Sequence, residues 1–338
     1  MGQRYFSGSN SGEGFYNLFD GVVPVWDRLT RYFMIKGGPG VGKSTLMKRV
    51  AVKAEEAGEE VERFYCSGDP DSLDAVRLVK RGIVFADATS PHIMDPQFPG
   101  AVEEIVNLGE QIDRSRIIKY RDEVEDLTRK NNVSYRRGYA FLRAAKALEE
   151  ERYREIAACM DREKVKKQAK DIGERVGSVG KEEKRRLFLD ALSCKGRVSF
   201  AKEHCEGNRV YRVWGEEKDV ITDFLAEEIK SGRKELFCSP LCPEHVKHML
   251  LREQDFFLTT EPGMDGTMLS ATDYLKKDCH VLAGRYAAEA RRLEDMAMDC
   301  FKDCKRIHDD LEEIYRECVD FAKIAERTEQ LLDLLWEL

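Results

Sequence analysis

The chain has 338 residues, 42% of them hydrophobic and 35% charged, a composition that suits a soluble protein with one large core or two modest ones. Its net charge of −7 weighs against nucleic acid or an anionic membrane as the main partner, and no apolar run reaches the roughly 18 residues of a membrane span. The start, Met1-Gly2-Gln3-Arg4-Tyr5-Phe6, lacks a signal-peptide core and departs from the myristoylation pattern at Phe6, so ten cysteines read as reduced thiols of a cytoplasmic protein.

In chain order, the Gly/Ser-rich segment Ser7 to Phe15 leads into a stretch expected to be helical through Leu29. Tyr32-Phe33-Met34-Ile35 is a short apolar run ending just ahead of Gly37-Gly38 and predicts a buried strand over 31–36. There follows Gly37-Gly38-Pro39-Gly40-Val41-Gly42-Lys43-Ser44, a complete P-loop opening a helix over 43–57. Each residue type has a reason: glycines let backbone N–H groups turn inward around an anion, Lys43 reaches the β- and γ-phosphates, and the Ser44 hydroxyl joins a Mg²⁺ shell. The helix N-terminus adds its dipole. A strand over 61–66, a helix over 71–80 and a strand over 82–87 come next, and the alternation predicts right-handed crossovers in a parallel sheet. A proline- and glycine-punctuated loop, 90–100, then leads to a helix over 101–109. From 112 to 192 the chain is charged and heptad-like, which suggests a long helical hairpin turning near Gly173, Gly177 and Gly180.

The chain also matches itself. Arg63 to Ser67 resembles Glu235 to Ser239, Val84 to Pro91 resembles Phe256 to Pro262, and Tyr32 to Gly37 resembles Val210 to Gly215. A looser match of Arg4 to Ser7 with Arg197 to Phe200 suggests where each repeat begins. About six residues, the body of the P-loop, are missing from the second copy, where Glu216-Glu217 follow Gly215. Carboxylates there replace the N–H groups and lysine that a phosphate needs. The second copy predicts a strand over 209–214, helix 217–231, strand 235–239, helix 243–251 and strand 255–260, closing with helices from Ala271 to Leu338. The expected organisation is a P-loop domain over 1–195 with a helical insertion at 112–192, then a degenerate repeat over 196–338.

Asp87 ends Ile83-Val84-Phe85-Ala86 as a Walker B aspartate does, and with Ser44 it would hold Mg²⁺. Ala88 follows it, so the attacking group must be oriented by something else. Asp69 and Asp71 lie at the ligand edge of such a sheet; Asp69 reads as a candidate catalytic carboxylate and Asp71 as a helix N-cap. His92, just past Asp87, is either a phosphate contact or an ordinary loop histidine. Cys238, Cys242, His245 and His248 have a spacing that superficially suggests zinc, against which stands the match of Cys238 to a buried strand end.

Tyr5 to Asn10, Gly14-Phe15-Tyr16, Ile35 to Lys48, Tyr65-Cys66-Ser67 and Pro91-His92 through Pro99 to Ile105 together resemble an uncharacterised family of bacterial ATPases, loosely described as related to nucleotide kinases and built as two tandem P-loop halves. The resemblance is close over the first 110 residues and outlines the rest. It implies nucleoside-triphosphatase folds in both halves and ATP binding at Gly38, Pro39, Gly40, Val41, Gly42, Lys43, Ser44 and Thr45. The departure in the second half leaves one expected nucleotide site. Three functions stay open: an ATPase that moves its helical extensions, with Lys43 and Asp87 as catalytic groups; a small-molecule or nucleotide kinase using Asp69 on an unknown acceptor; and a nucleotide-sensing scaffold for a protein partner.

Overall fold

The computed structural model describes residues 3–177, 180–276 and 282–337. The first half contains β1 (Gln3–Phe6), a hairpin of β2 (Gly8–Ser11) and β3 (Gly14–Asn17), β4 (Arg31–Lys36), α1 (Lys43–Glu56), β5 (Val61–Tyr65), β6 (Leu73–Leu78), β7 (Ile83–Asp87) and β8 (Glu103–Asn107). A one-turn helix α2 (Arg114–Ile117) leads into the long α3 (Arg121–Cys159) and α4 (Arg162–Val176). The second half repeats the series as β9 (Glu183–Leu187), the hairpin β10 (Asp190–Ser193) and β11 (Gly196–Ser199), β12 (Arg209–Trp214), α5 (Lys218–Glu228), β13 (Arg233–Cys238), β14 (Val246–Leu251), β15 (Phe256–Thr259), β16 (Thr267–Ser270), α6 (Ala283–Cys318) and α7 (Phe321–Glu337).

The two six-stranded sheets have the same order, β1-β5-β6-β7-β4-β8 and β9-β13-β14-β15-β12-β16. In each, one strand, β6 or β14, runs antiparallel to both neighbours and the remaining pairs are parallel. The molecule is therefore an internally duplicated α/β protein with mixed sheets.

Three expected helices are strands. Segment 71–80 is β6, segment 243–251 is β14 and segment 101–109 contains β8. The cause in β6 is the burial of charge: all six of its residues are buried, with Asp74 and Arg77 held by partners from other elements. Such charges look in sequence like the polar face of a helix. The expected helix through Leu29 is also replaced, by the β2–β3 hairpin and a short 3-10 turn at Phe19–Gly21.

The repeat begins earlier than the match to Arg197 implied. Tyr5 pairs with Phe64 and Leu187 with Phe237, so Arg4 to Ser7 corresponds to Arg186 to Leu189. Phe6 and Phe188 sit where the copies meet and exchange backbone hydrogen bonds of 2.9 and 3.0 Å. Both hairpin turns are the same device. Ser11 Oγ bonds Gly14 O and the Glu13 N–H, and Ser193 Oγ bonds Gly196 O and the Lys195 N–H. The irregularity at Phe64/Tyr65 recurs at Phe237/Cys238, so Cys238 stands for Tyr65, not for Cys66.

The 112–192 segment is not a self-contained hairpin. It includes β9 and part of the β10–β11 hairpin, and α3 pairs with α6 from the other half. Leu142 and Ala145 interlock there with Ala297, Met298, Phe301 and Cys304. The arms also cross. Val165, Ala169 and Ile172 of α4 pack under the second sheet with Ile221 and Leu225, while Ile324, Leu331, Leu332 and Leu335 of α7 pack on α1 and the first sheet. Among the described residues eight cysteines are free thiols, and Cys159 at the end of α3 is disulfide-bonded, which corrects the all-reduced expectation at that position.

Candidate functional site

The glycine-rich loop joins β4 to α1 at the sheet edge where β7 also ends. Gly40 (φ 68°) and Gly42 (φ 96°) are left-handed, a backbone that residues with a Cβ adopt only under strain. Gly42 immediately precedes α1, so Lys43 and Ser44 open the helix. The half-buried Lys43 folds back over the loop, donating to Gly37 O and Gly38 O at 3.0 Å, with Nζ 3.6 Å from Asp87 Oδ2. Asp87 Oδ1 accepts from the Thr89 N–H (2.8 Å) and hydroxyl (2.5 Å), which leaves Oδ2 facing the lysine. Ser44 Oγ accepts from the Leu73 N–H at 2.9 Å and so ties α1 to the first residue of β6.

The next residue, Asp74, completes a group that the sequence reading missed. Because β6 is antiparallel, its start lies at the same edge as the end of β7. Asp74 is buried with Oδ2 3.2 Å from His92 Nε2. His92 is itself buried, its ring 4.8 Å from that of Phe15 and 4.7 Å from that of Phe19. Burial works against its protonation, but the adjacent Asp74, and behind it Asp87, raise its pKa above the ordinary histidine value. Lys36 holds the loop that carries His92, donating to Ala88 O (2.7 Å) and Met94 O (2.9 Å). Reading 71–80 as a strand would have brought Asp74 to light.

Asp69 and Asp71 lie elsewhere along this edge. The N-cap reading of Asp71 falls with the helix: its exposed carboxylate pairs instead with Lys195 of the opposite hairpin. Asp69 closes a turn, accepting from the Asp71 N–H (3.2 Å) and Ser72 hydroxyl (3.3 Å), and its Oδ2 lies 3.5 Å from Lys305 on α6. The same helix lies against the glycine-rich loop. A Cβ on Gly38 would fall 2.7 Å from the Tyr315 ring, and one on Gly40 2.9 Å from Glu312 O.

The second copy has the same frame with different chemistry. Four residues lie between Gly37 and Gly42, but only one between Gly215 and Glu217, the residue that precedes α5. The loop is thus three residues shorter, with the rest of the difference falling in α5 and the turn after it. Arg152 of α3 fills the place, donating to Glu216 O at 2.7 Å while pairing with Glu149 and, at 3.4 Å, with Asp219. Sheet register puts Lys247 where the first copy has Asp74, and Thr260 where it has Asp87. Asp223 takes over the role of Ser44, accepting from the Val246 N–H at 2.7 Å.

The cysteine–histidine spacing resolves into separate partners. Cys238 Sγ accepts from Arg186, His245 pairs with Asp223 and stacks on Tyr153, and His248 bonds Thr259 and Asp190. Among the described residues no group of three or more His, Cys, Asp or Glu is arranged to hold a metal. No helix there is long and apolar enough to cross a membrane. No family model, curated protein or solved structure matches the chain.

Proposed function

We propose that the first half is a P-loop nucleoside-triphosphatase unit that binds ATP with Mg²⁺ and hydrolyses it, and that the second half is its structural copy without a nucleotide site. The observation that carries this reading is the convergence of left-handed glycines, Lys43 and Ser44 at the start of α1 with Asp87 on the neighbouring strand. The donor set fits the group: an ammonium for the phosphates, a hydroxyl and a carboxylate oxygen for a hard divalent cation. Mg²⁺ bound there would neutralise phosphate charge, with Ser44 and Asp87 as its protein contacts. Lys43 would exchange Gly37 O and Gly38 O for phosphate oxygens, a charge-assisted contact worth more than either carbonyl bond.

Motion of the helical arm is part of the reading, since α6 rests on Gly38 and Gly40 and a reshaped loop would push against Glu312 and Tyr315. The kinase reading rests on Asp69, whose carboxylate is engaged by its own turn and by Lys305. That favours water over a metabolite hydroxyl as acceptor.

Titration calorimetry with ATP and Mg²⁺ tests binding: one nucleotide per chain is expected, weakened on the order of 100-fold or more by Lys43→Ala, the loss of a charge-assisted contact and its phosphate neutralisation. Two equivalent sites, or unchanged affinity in the variant, would defeat the proposal. Terminal-phosphate label should appear as free phosphate, and label retained on a metabolite would move the assignment to a kinase.

A further inference from the structure

We infer that His92, paired with Asp74, is the proton acceptor for the water that attacks the terminal phosphate, an assignment that rests on the nucleotide reading above. The Walker B position is followed by Ala88, so the strand end itself supplies no second carboxylate for the attacking group. The cross-strand neighbour supplies one instead. Asp74 Oδ2 lies 3.2 Å from His92 Nε2, where it serves as the counter-charge of an imidazolium, and like His92 Nδ1 it is a buried atom with no hydrogen-bond partner. That Nδ1 is buried and has no hydrogen-bond partner, although the ring is only 4% exposed. An unpartnered buried polar atom is costly, and functional sites are where such a cost is retained.

The other half supplies the contrast. His248 is just as buried, but both of its ring nitrogens are bonded, Nδ1 to Thr259 Oγ1 at 2.7 Å and Nε2 to Asp190 Oδ2 at 3.0 Å. That is how a structural histidine is satisfied, and it occurs in the copy whose glycine-rich loop is shortened. The histidine with a free nitrogen occurs in the copy that keeps Lys43 and Asp87. The charges that act on His92 come from that site, Asp74 from β6, Asp87 from β7 and Lys43 from α1, with Lys36 of β4 holding its loop and Phe15 and Phe19 packed against its ring.

In the step, the water oxygen forms a bond to the terminal phosphorus and the bond from that phosphorus to the bridging oxygen breaks, leaving the diphosphate. The water proton passes to His92 Nδ1, and the imidazolium so formed is stabilised by the Asp74 carboxylate until it releases the proton to solvent or phosphate.

The test compares the full-length protein with His92→Gln and Asp74→Asn in nucleotide affinity, phosphate-release rate and pH profile. His92→Gln should keep ATP affinity within about threefold and lose about 10²-fold or more in turnover, together with the acid limb of the rate profile. Asp74→Asn should keep that limb but move it to lower pH, because the charge that favours the imidazolium is gone. Full turnover in His92→Gln, or an unchanged acid limb, overturns the assignment while leaving nucleotide binding intact. Parallel loss of affinity and rate in His92→Gln reduces His92 to a structural role and overturns it as well. Absence of ATP binding by the wild-type chain would instead defeat the underlying reading, and this inference with it.

Discussion

At the scale of single residues, a buried ion network joins the halves. Glu62 of β5 accepts both guanidinium nitrogens of Arg185 from β9, at 2.8 and 2.7 Å, and one from Arg77 of β6 at 2.8 Å. All three side chains are buried. Burial alone would raise the Glu62 pKa, but the two arginines overcome it and hold the carboxyl down at about 2. A carboxylate depressed in the folded state stabilises above its ordinary pKa, and the stabilisation is lost as pH falls through the folded value. The window for Glu62 therefore runs from roughly pH 4.5 down to about 2. Glu62→Gln leaves Arg77 with Asp27 and Arg185 with Glu235, at 3.4 Å, as the remaining counter-charges, and should cost up to about 3 kcal/mol in urea unfolding at neutral pH. The same variant should flatten the acid dependence over that window, and an unchanged acid slope would show that other carboxylates set it. No short-range pattern announces this network, since its members come from 62, 77 and 185. The glycine-rich loop lay at the opposite extreme: its pattern is written in eight consecutive residues, Gly37 to Ser44.

At the scale of elements, what could be read from sequence was the strands and helices whose polarity follows their period. The strand at 31–36, the helix from 43, and the strands near 61 and 83 all lie where the apolar runs put them, as do their partners in the second half. Strand β6 escaped because buried charges break its alternation, and β14 because His248 to Leu251 are buried without alternating; the misreading of β6 also hid Asp74 from the candidate site. The partner of α3 escaped for another reason: a heptad stripe tells that a helix has a mate but not which one. Here the mate is α6, and the approach is close at Gly138, where a Cβ would fall 2.6 Å from the Phe301 ring. Two effects oppose each other in Gly138→Ala. Helix propensity favours alanine by about 1 kcal/mol, whereas overpacking against a fixed neighbour costs about 1–3 kcal/mol. Phe301 is 2% exposed and locked between Tyr135 and Tyr139, so it has nowhere to move and the clash should win. A lowered urea midpoint is expected, and a raised one would mean that the helices can part locally without loss.

At the scale of the whole molecule, the crossed arms decide how the two halves fold. Were each half to carry its own trailing helices, two sheets with separate cores would unfold as two units. Instead α7, from the end of the chain, covers α1 and the first sheet, and α4, from the middle, covers the second. A third core of Tyr5, Phe6, Phe64, Phe188, Phe237 and Phe257 spans the junction around the Phe6–Phe188 bonds. Neither half can lose its sheet without exposing apolar surface on an arm that serves the other, so the coupling is built into the connectivity. Calorimetry should accordingly show one cooperative transition, with the calorimetric and van't Hoff enthalpies in agreement. Ending the chain at Asp320 removes Ile324, Leu331, Leu332 and Leu335 from the face of α1, each worth about 1.5–3 kcal/mol of burial. Their combined loss is comparable to the whole stability of an ordinary domain, so the first sheet of the truncated chain should lose its amide-exchange protection. The second sheet keeps α4 but loses its junction partner, and its protection should fall as well. Two well-separated transitions in the intact chain, or a truncated chain whose second sheet is as protected as before, would show that the halves are independent and the crossing only decorative.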